Sequence, residues 1–246
     1  MKKSMTAVAA CLIAGMVSAQ IESQNIVGYT TSVIDSATWY QMASTFVPVL
    51  GTANDGKAIN DVFTTGFEAG DKLYVWNQEQ QKYDPYVWMT APLDENFEPT
   101  VAGWADDTEM RTAAILKIGQ SVFMRKLSAG STSVTFSGQV EVDLSTTIPS
   151  ATWVQVSLPY PVSVALNDEI TWTGFAAGDK VFVWNTAQQK YDPYIWMTAP
   201  LDENFEPTVA GWADDTEMRT LVKLPLGAPM FIYKVTAGSG SFAKAN

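Results

Sequence analysis

The chain has 246 residues, a formal net charge of −11, no histidine and one cysteine, Cys11. The absence of histidine excludes Ser-His-Asp triads, Cys-His pairs and histidine-ligated zinc or iron sites. A chain this acidic repels phosphate backbones, so we expect no nucleic-acid partner. After the N-terminal segment no run of about 18 apolar residues occurs, which predicts no membrane-spanning segment in the mature chain.

The first 19 residues have the pattern of a secretory signal peptide. Lys2 and Lys3 precede an apolar run over residues 6–17, and small residues end this segment at Ala19. We therefore expect cleavage after Ala19 and a secreted protein that is extracellular, at the cell surface or in the periplasm. Cleavage also removes Cys11, so the mature chain has no disulfide and depends on core packing for its stability.

A long internal repeat divides the mature chain. Residues 65–112 recur as residues 173–220 at an offset of 108 positions, and 42 of the 48 aligned residues are identical. Residues 36–39 likewise recur as 150–153, at an offset of 114. We interpret this as internal duplication of a whole module. The expected organisation is a signal peptide over 1–19, β-module one over 20–138 and β-module two over 139–246.

Short runs rich in Val, Thr, Tyr, Trp and Phe, separated by Gly, Asn, Asp and Pro, are typical of β-strands. The sequence predicts an all-β chain of two tandem antiparallel modules, sandwich-like or barrel-like. The predicted strands are 26–34, 38–43, 72–77, 83–89, 121–126 and 133–142, followed by 152–158, 180–185, 191–197 and 229–235. We expect 72–77 and 83–89 to form a hairpin. Residues 133–144 would both close module one and open module two, with no flexible linker.

The hairpin is apolar on both faces. One face must pack in the core, and the other is either covered by the acidic segment that follows or exposed as an aromatic platform for sugar rings. The competing interpretation is that these aromatics simply fill the core. The candidate stacking residues are Trp76, Tyr86, Trp88 and Trp104 with their repeat mates Trp184, Tyr194, Trp196 and Trp212.

The acidic segment over residues 91–112 has three interpretations. Its carboxylates resemble the ligands that calcium prefers, although their spacing does not match the helix–loop–helix calcium motif. They also offer carboxylate pairs of the kind used in glycoside hydrolysis, or they remain solvated. We expect no catalytic activity and no cofactor, with calcium as the one possible ion. The calcium candidates are Asp94, Glu95, Asp106, Asp107, Asp202, Glu203, Asp214 and Asp215.

Several short motifs resemble a pattern in uncharacterised secreted β-repeat proteins of planctomycete and verrucomicrobial bacteria. They are the VGY strand at residues 27–29, YVWN at 74–77 followed by Tyr83 and Trp88, GQSVF at 119–123 and TFSGQV at 135–140. The resemblance implies an exported, β-rich, non-enzymatic protein and transfers no functional residues. Module two departs from the pattern, because it lacks the Gly-Tyr pair and ends before a complete closing strand.

Two functions follow as hypotheses. The first is a secreted, non-catalytic structural or interaction protein of the cell surface or extracellular matrix, acting through protein contacts or self-association. An open edge in module two would accept the N-terminal strand of a neighbour, and such head-to-tail addition builds filaments. The donor residues would be Ile26, Val27, Gly28 and Tyr29. The alternative is a bivalent carbohydrate-binding protein with a polysaccharide partner.

Overall fold

The computed structural model describes residues 27–44, 46, 56–140, 146–158, 162–225 and 227–244. The expected signal peptide and Ile26 lie outside the described residues. Apart from one short helix, α1 (Ile59–Val62), the regular structure of the described residues consists of antiparallel strands. The predicted all-β class is therefore confirmed.

The strands are described in two groups along the chain, module one and module two; β9 extends to Gln139, one residue past the expected boundary at 138. Module one contains β1 (Val27–Ile34), β2 (Trp39–Ala43), β3 (Gly56–Ala58), β4 (Lys72–Asn77), β5 (Lys82–Met89), β6 (Gly103–Ala105), β7 (Ile115–Lys117), β8 (Ser121–Arg125) and β9 (Thr132–Gln139). Module two contains β10 (Thr146–Ile148), β11 (Trp153–Ser157), β12 (Val164–Ala165), β13 (Ile170–Thr173), β14 (Lys180–Asn185), β15 (Lys190–Met197), β16 (Gly211–Ala213), β17 (Lys223–Leu224), β18 (Pro229–Tyr233) and β19 (Gly240–Lys244).

Each module is built around one five-stranded sheet. The order is β2-β8-β4-β5-β6 in module one and β11-β18-β14-β15-β16 in module two, so strands at equivalent sequence positions take equivalent places. Small sheets accompany them: β1-β9 and β3-β7 in the first module, β10-β19-β13 and β12-β17 in the second.

Two predictions about the module ends are corrected. The segment expected to be shared by both modules forms two strands, because β9 ends at Gln139 and β10 begins at Thr146, and each pairs within its own module. Module two does have a closing strand, β19, which is hydrogen-bonded on one side to β10 and on the other to β13. Both sides of β19 are therefore occupied, and β10 and β13 are the edge strands of this sheet among the described residues.

The β4–β5 hairpin shows how the local sequence fixes the register. The Asn77 side chain accepts hydrogen bonds from the backbone N–H groups of Glu79 and Gln80, each at 3.1 Å, and so closes the turn. Gln81 takes the left-handed conformation, with φ of 53°. This turn places Trp76 directly opposite Tyr83. The same turn recurs in module two, where Trp184 pairs with Tyr191.

The core of each module lies on one face of its five-stranded sheet. In module one, Leu73 and Trp104 are fully buried, and the Trp104 indole donates to the Phe63 carbonyl oxygen at 2.9 Å. The Trp104 ring meets that of Phe67 at a centroid distance of 5.2 Å. Large aromatics thus supply much of the apolar burial that holds a module lacking disulfides together.

Each module contains a buried ion pair. Lys126 and Asp71 are 2% and 0% exposed, with 3.6 Å between the Lys126 Nζ and a carboxylate oxygen. The Asp71 carboxylate also accepts hydrogen bonds from the backbone N–H groups of Leu127 and Ser128. Burial acts to raise the pKa of Asp71, but these hydrogen bonds outweigh burial and hold it below its ordinary value. Asp179 and Lys234 repeat the pair in module two at 3.1 Å.

Candidate functional site

Each five-stranded sheet has a second face that is aromatic and does not line its own core. In β4, Leu73 and Val75 pack into the core, so the alternating residues Tyr74 and Trp76 lie on the opposite face. The other strands of the two sheets alternate in the same way. We call these surfaces the aromatic faces; they carry Trp39, Gln41, Tyr74, Trp76, Tyr83 and Phe123 in module one, and Trp153, Gln155, Phe182, Trp184, Tyr191 and Phe231 in module two.

The two aromatic faces contact each other. The Trp76 ring meets the Phe231 ring edge-on at 5.0 Å, and the Trp184 ring meets the Phe123 ring edge-on at 4.9 Å. These contacts are reciprocal, because Trp76 and Phe123 occupy the positions in module one that Trp184 and Phe231 occupy in module two. The modules are thus joined about an approximate two-fold axis. Each such ring pair contributes about 1 kcal/mol beyond its buried area.

Polar groups at the centre of this joint follow the same symmetry. The Gln155 amide nitrogen donates to the Tyr83 hydroxyl at 2.9 Å, and the Gln41 amide nitrogen donates to the Tyr191 hydroxyl at 3.3 Å. Burial raises the pKa of both tyrosines above the ordinary value. Both hydroxyls therefore stay neutral at physiological pH, where they act as hydrogen-bonding groups and not as acids.

A glutamine from each hairpin holds the rim of the joint. Gln189 accepts from the Trp39 backbone N–H at 2.9 Å and donates to the Trp39 carbonyl oxygen at 3.1 Å. Gln81 makes the same two bonds with Trp153, at 2.9 Å and 3.1 Å. Both tryptophans begin edge strands, whose outward backbone groups have no sheet neighbour to bond. The glutamines satisfy these groups and fix the tryptophans in place.

This arrangement leaves two equivalent clefts, each lined by residues of both modules. Aromatic cleft one has a volume of about 430 Å³ and is lined by Trp39, Tyr74, Tyr83, Phe123, Trp184 and Gln189. Aromatic cleft two has a volume of about 520 Å³ and is lined by Trp153, Phe182, Tyr191, Pro193, Phe231, Trp76 and Gln81. Both volumes lie in the range of small-ligand sites. Among the described residues that line them, neither cleft has a carboxylate, so these residues offer no acid–base pair.

The tryptophan at each rim is supported from within its own module. The Arg125 guanidinium lies over the Trp39 ring, 5.3 Å from its centroid. The Tyr233 ring stacks on Trp153 at 4.7 Å with an interplanar angle of 27°. Trp153 nevertheless remains 37% exposed. A supported but accessible indole is a pre-organised surface on which a flat apolar ring can stack.

Most of the predicted stacking residues lie elsewhere. Trp76 and Trp184 do line the clefts, but the other six are in, or packed against, the module cores: Tyr86, Trp88, Trp104, Tyr194, Trp196 and Trp212. The reason is the hairpin register. Trp76 faces Tyr83, so the residues on its face of β5 have odd numbers, whereas Tyr86 and Trp88 point into the core.

Sequence reasoning missed most of the cleft residues. The recurrence of Trp39 as Trp153 was visible in the sequence, and so was the alternation that puts Tyr83 opposite Trp76. What the sequence did not show is that the second aromatic face of each sheet is covered by the other module. The glutamines Gln81 and Gln189 stand in hairpin turns, where a polar residue carries no signal of its own.

The calcium candidates are turn residues. Asp94 accepts from the backbone N–H groups of Asn96 and Glu98 at 2.8 Å and 3.0 Å, and Asp106 accepts from Thr108 and Met110 in the same manner. Their mates Asp202 and Asp214 repeat these bonds, while Glu95, Asp107, Glu203 and Asp215 are exposed. Across the described ranges no three acidic side chains converge on a common point. The calcium interpretation is therefore not supported by the geometry.

The expected donor strand is already paired. Val27, Gly28 and Tyr29 lie opposite Gln139, Gly138 and Ser137 in the β1–β9 ladder of the same chain, and Ile26 lies outside the described residues. The two sides of β19 are likewise paired within module two. Strand exchange between copies of the chain stays a prediction.

Comparisons with known proteins return no relative. No family matches the chain, and no curated protein or solved structure matches it. In the described part of the chain, no helix is both long and apolar enough to cross a membrane.

Proposed function

We propose that this chain is a secreted, non-catalytic carbohydrate-binding protein with two equivalent sites, the aromatic clefts between its modules. The observation that carries the proposal is the pair of clefts, each made of aromatic rings from both modules with one glutamine amide at the rim. Sugar rings have apolar faces that stack on indole and phenol rings, and hydroxyls that bond to amides.

The chemistry of the clefts favours binding without catalysis. Hydrolysis of a glycosidic bond needs two carboxyl groups about 5–10 Å apart, and the described residues that line the aromatic clefts include no Asp or Glu. The tyrosine hydroxyls at the centre of the joint have raised pKa values and do not act as general bases near neutral pH.

Two sites on one rigid body suit a repeating polymer. Each cleft is too small for tight binding of a long chain, but simultaneous occupation of both clefts raises the overall affinity for a polysaccharide by orders of magnitude. The signal-peptide pattern over residues 1–19 supports a location outside the cytoplasm, where such polymers occur.

The first experiment is a pull-down of the mature chain with insoluble polysaccharides, followed by affinity measurements with soluble oligosaccharides of any polymer that binds. We expect Trp39→Ala and Trp153→Ala each to remove one site and the double variant to abolish binding. Phe97→Ala is the matched control, since Phe97 is 75% exposed and lies outside both clefts. Binding that survives the double variant would exclude the clefts.

A structural role through self-association is the second candidate. Within the described residues β1 pairs with β9 alone, so its outer edge is unpaired. Tyr29 and Val33 on this strand are 76% and 52% exposed. An unprotected edge strand can pair with the same strand of a second copy. Light scattering of the mature chain and of Val33→Lys tests this candidate: we expect a dimer that the lysine dissociates, and a wild-type monomer would refute it.

A further inference from the structure

A third cleft lies at the same joint but has a different chemistry. It has a volume of about 520 Å³ and includes Trp76, Gln78, Asp84, Gln120, Gln155 and Ser157 in its lining. Only the Trp76 side chain is common to this cleft and aromatic cleft two. We call it the polar cleft, because amide, hydroxyl and carboxylate groups of both modules meet in it.

Two buried polar groups in this lining have no hydrogen-bond partner among the residues that the structure describes. Gln155 is 6% exposed; its amide nitrogen is used by Tyr83, while its Oε1 accepts no hydrogen bond. Ser157 is 1% exposed, and its Oγ also has no partner. Buried polar groups in native proteins are nearly always hydrogen-bonded, because leaving them unpaired is costly. These two groups therefore point to a ligand.

The approximate two-fold axis supplies an internal comparison. The equivalent cleft on the other side of the joint measures about 200 Å³. There Ala43 replaces Ser157, Ala228 replaces Gln120 and Thr186 replaces Gln78. The unpaired glutamine oxygen is common to both clefts, since Gln41 Oε1 also has no partner among the described residues. The unpaired serine hydroxyl, however, belongs to the larger cleft alone, because Ala43 stands in the place of Ser157.

We propose that the polar cleft is a binding site for one neutral polyhydroxylated molecule, a sugar or a polyol, separate from the two aromatic clefts. Gln155 Oε1 needs a hydrogen-bond donor, Ser157 Oγ can both donate and accept a hydrogen bond, and the Asp84 carboxylate accepts hydrogen bonds. Gln155 and Ser157 are two residues apart on β11, so their side chains share a face with about 7 Å between them. Hydroxyls of one sugar ring can therefore bond to both side chains at once. The lining carries two carboxylates, Asp84 and Glu79, against one ammonium group, that of Lys117, and this excess of negative charge disfavours an anionic ligand.

The test uses the isotope-labelled mature chain, titrated separately with glucose and with myo-inositol and followed by NMR. At least one probe is expected to shift the Gln155 side-chain amide and the Ser157 backbone amide in a saturable way. Removing the hydroxyl with Ser157→Ala is expected to weaken this binding about tenfold. The substitution copies the residue found at the equivalent position, Ala43, so the fold is expected to tolerate it.

Ala43→Ser is the matched control, because it adds a hydroxyl to the equivalent cleft, and the affinity at the polar cleft is expected to stay unchanged. The inference is overturned if neither probe shifts the two amides, or if Ser157→Ala binds as tightly as the wild type. Shifts confined to Trp39 and Trp153 would support the aromatic clefts while overturning the polar cleft. Shifts confined to Gln155 and Ser157 would support the polar cleft and count against the aromatic clefts. The failure of one proposal can therefore be distinguished from the failure of the other.

Discussion

The hydrogen bond between Gln155 and Tyr83 joins residues of different modules and allows a quantitative test of the joint. Tyr83→Phe removes the 2.9 Å bond and leaves the Gln155 amide, 6% exposed, with neither its nitrogen nor its oxygen paired. An unpaired buried amide costs about 2 kcal/mol. Gln155→Leu alone leaves a partly exposed hydroxyl and costs about 1 kcal/mol. Replacing both residues removes both polar groups, which is nearly neutral.

The assay is urea unfolding of the mature chain, followed by far-ultraviolet circular dichroism for the wild type, both single variants and the double variant. We expect the double variant to be more stable than the sum of the single effects predicts, by about 3 kcal/mol. The control cycle pairs Tyr83→Phe with Phe97→Ala, since the Phe97 side chain is 75% exposed and lies outside the joint. Those two effects should add. A Tyr83–Gln155 coupling no larger than that of the control cycle would refute the described joint.

Three further predictions concern the rim, the ion pairs and calcium. Gln81→Asn keeps a residue that tolerates positive φ but shortens the side chain, so it should lose both bonds to Trp153 and destabilise the chain by about 1 kcal/mol in the same assay. Asp71→Asn leaves Lys126 as an unpaired buried charge and should cost about 3–5 kcal/mol. Because the folded-state pKa of Asp71 is lowered, its ionised form contributes fully to stability at neutral pH, and this contribution is lost as the pH falls below the ordinary aspartate pKa. The free energy of unfolding, followed by tryptophan fluorescence, should therefore fall more steeply with decreasing pH in the wild type than in Asp71→Asn. A chelator should leave the thermal unfolding midpoint unchanged, and a midpoint that falls would restore the calcium interpretation.

The strands could be predicted from the local sequence where residues of opposite faces alternate or the side chains are β-branched. The hairpin strands of both modules lie where the sequence placed them, because Asn77 and its mate Asn185 close the turns with their own side chains. Short strands such as β6 (Gly103–Ala105) were missed. Three residues inside an acidic segment carry no periodicity, and they become a strand only by pairing with β5.

The site itself depended on contacts that no local pattern reveals. Both faces of the hairpin are apolar, and the sequence left open whether the second face is covered or exposed. The structure covers it with the other module, so Trp76 packs against Phe231, a residue 155 positions away. The platform prediction placed Tyr86 and Trp88 on the same surface as Trp76. The register Trp76–Tyr83 alone was sufficient to separate them.

The most direct measurement for the proposed function is the binding stoichiometry of the mature chain, determined by titration calorimetry with a short oligosaccharide of the polymer identified in the pull-down. An oligosaccharide too short to reach from one aromatic cleft to the other should bind at two equivalent aromatic-cleft sites per chain. One of these sites should be lost in Trp39→Ala, and both in the double variant with Trp153→Ala. The proposed function would be contradicted if the double variant bound the oligosaccharide as the wild type does, or if the wild-type chain bound none of the polymers tested.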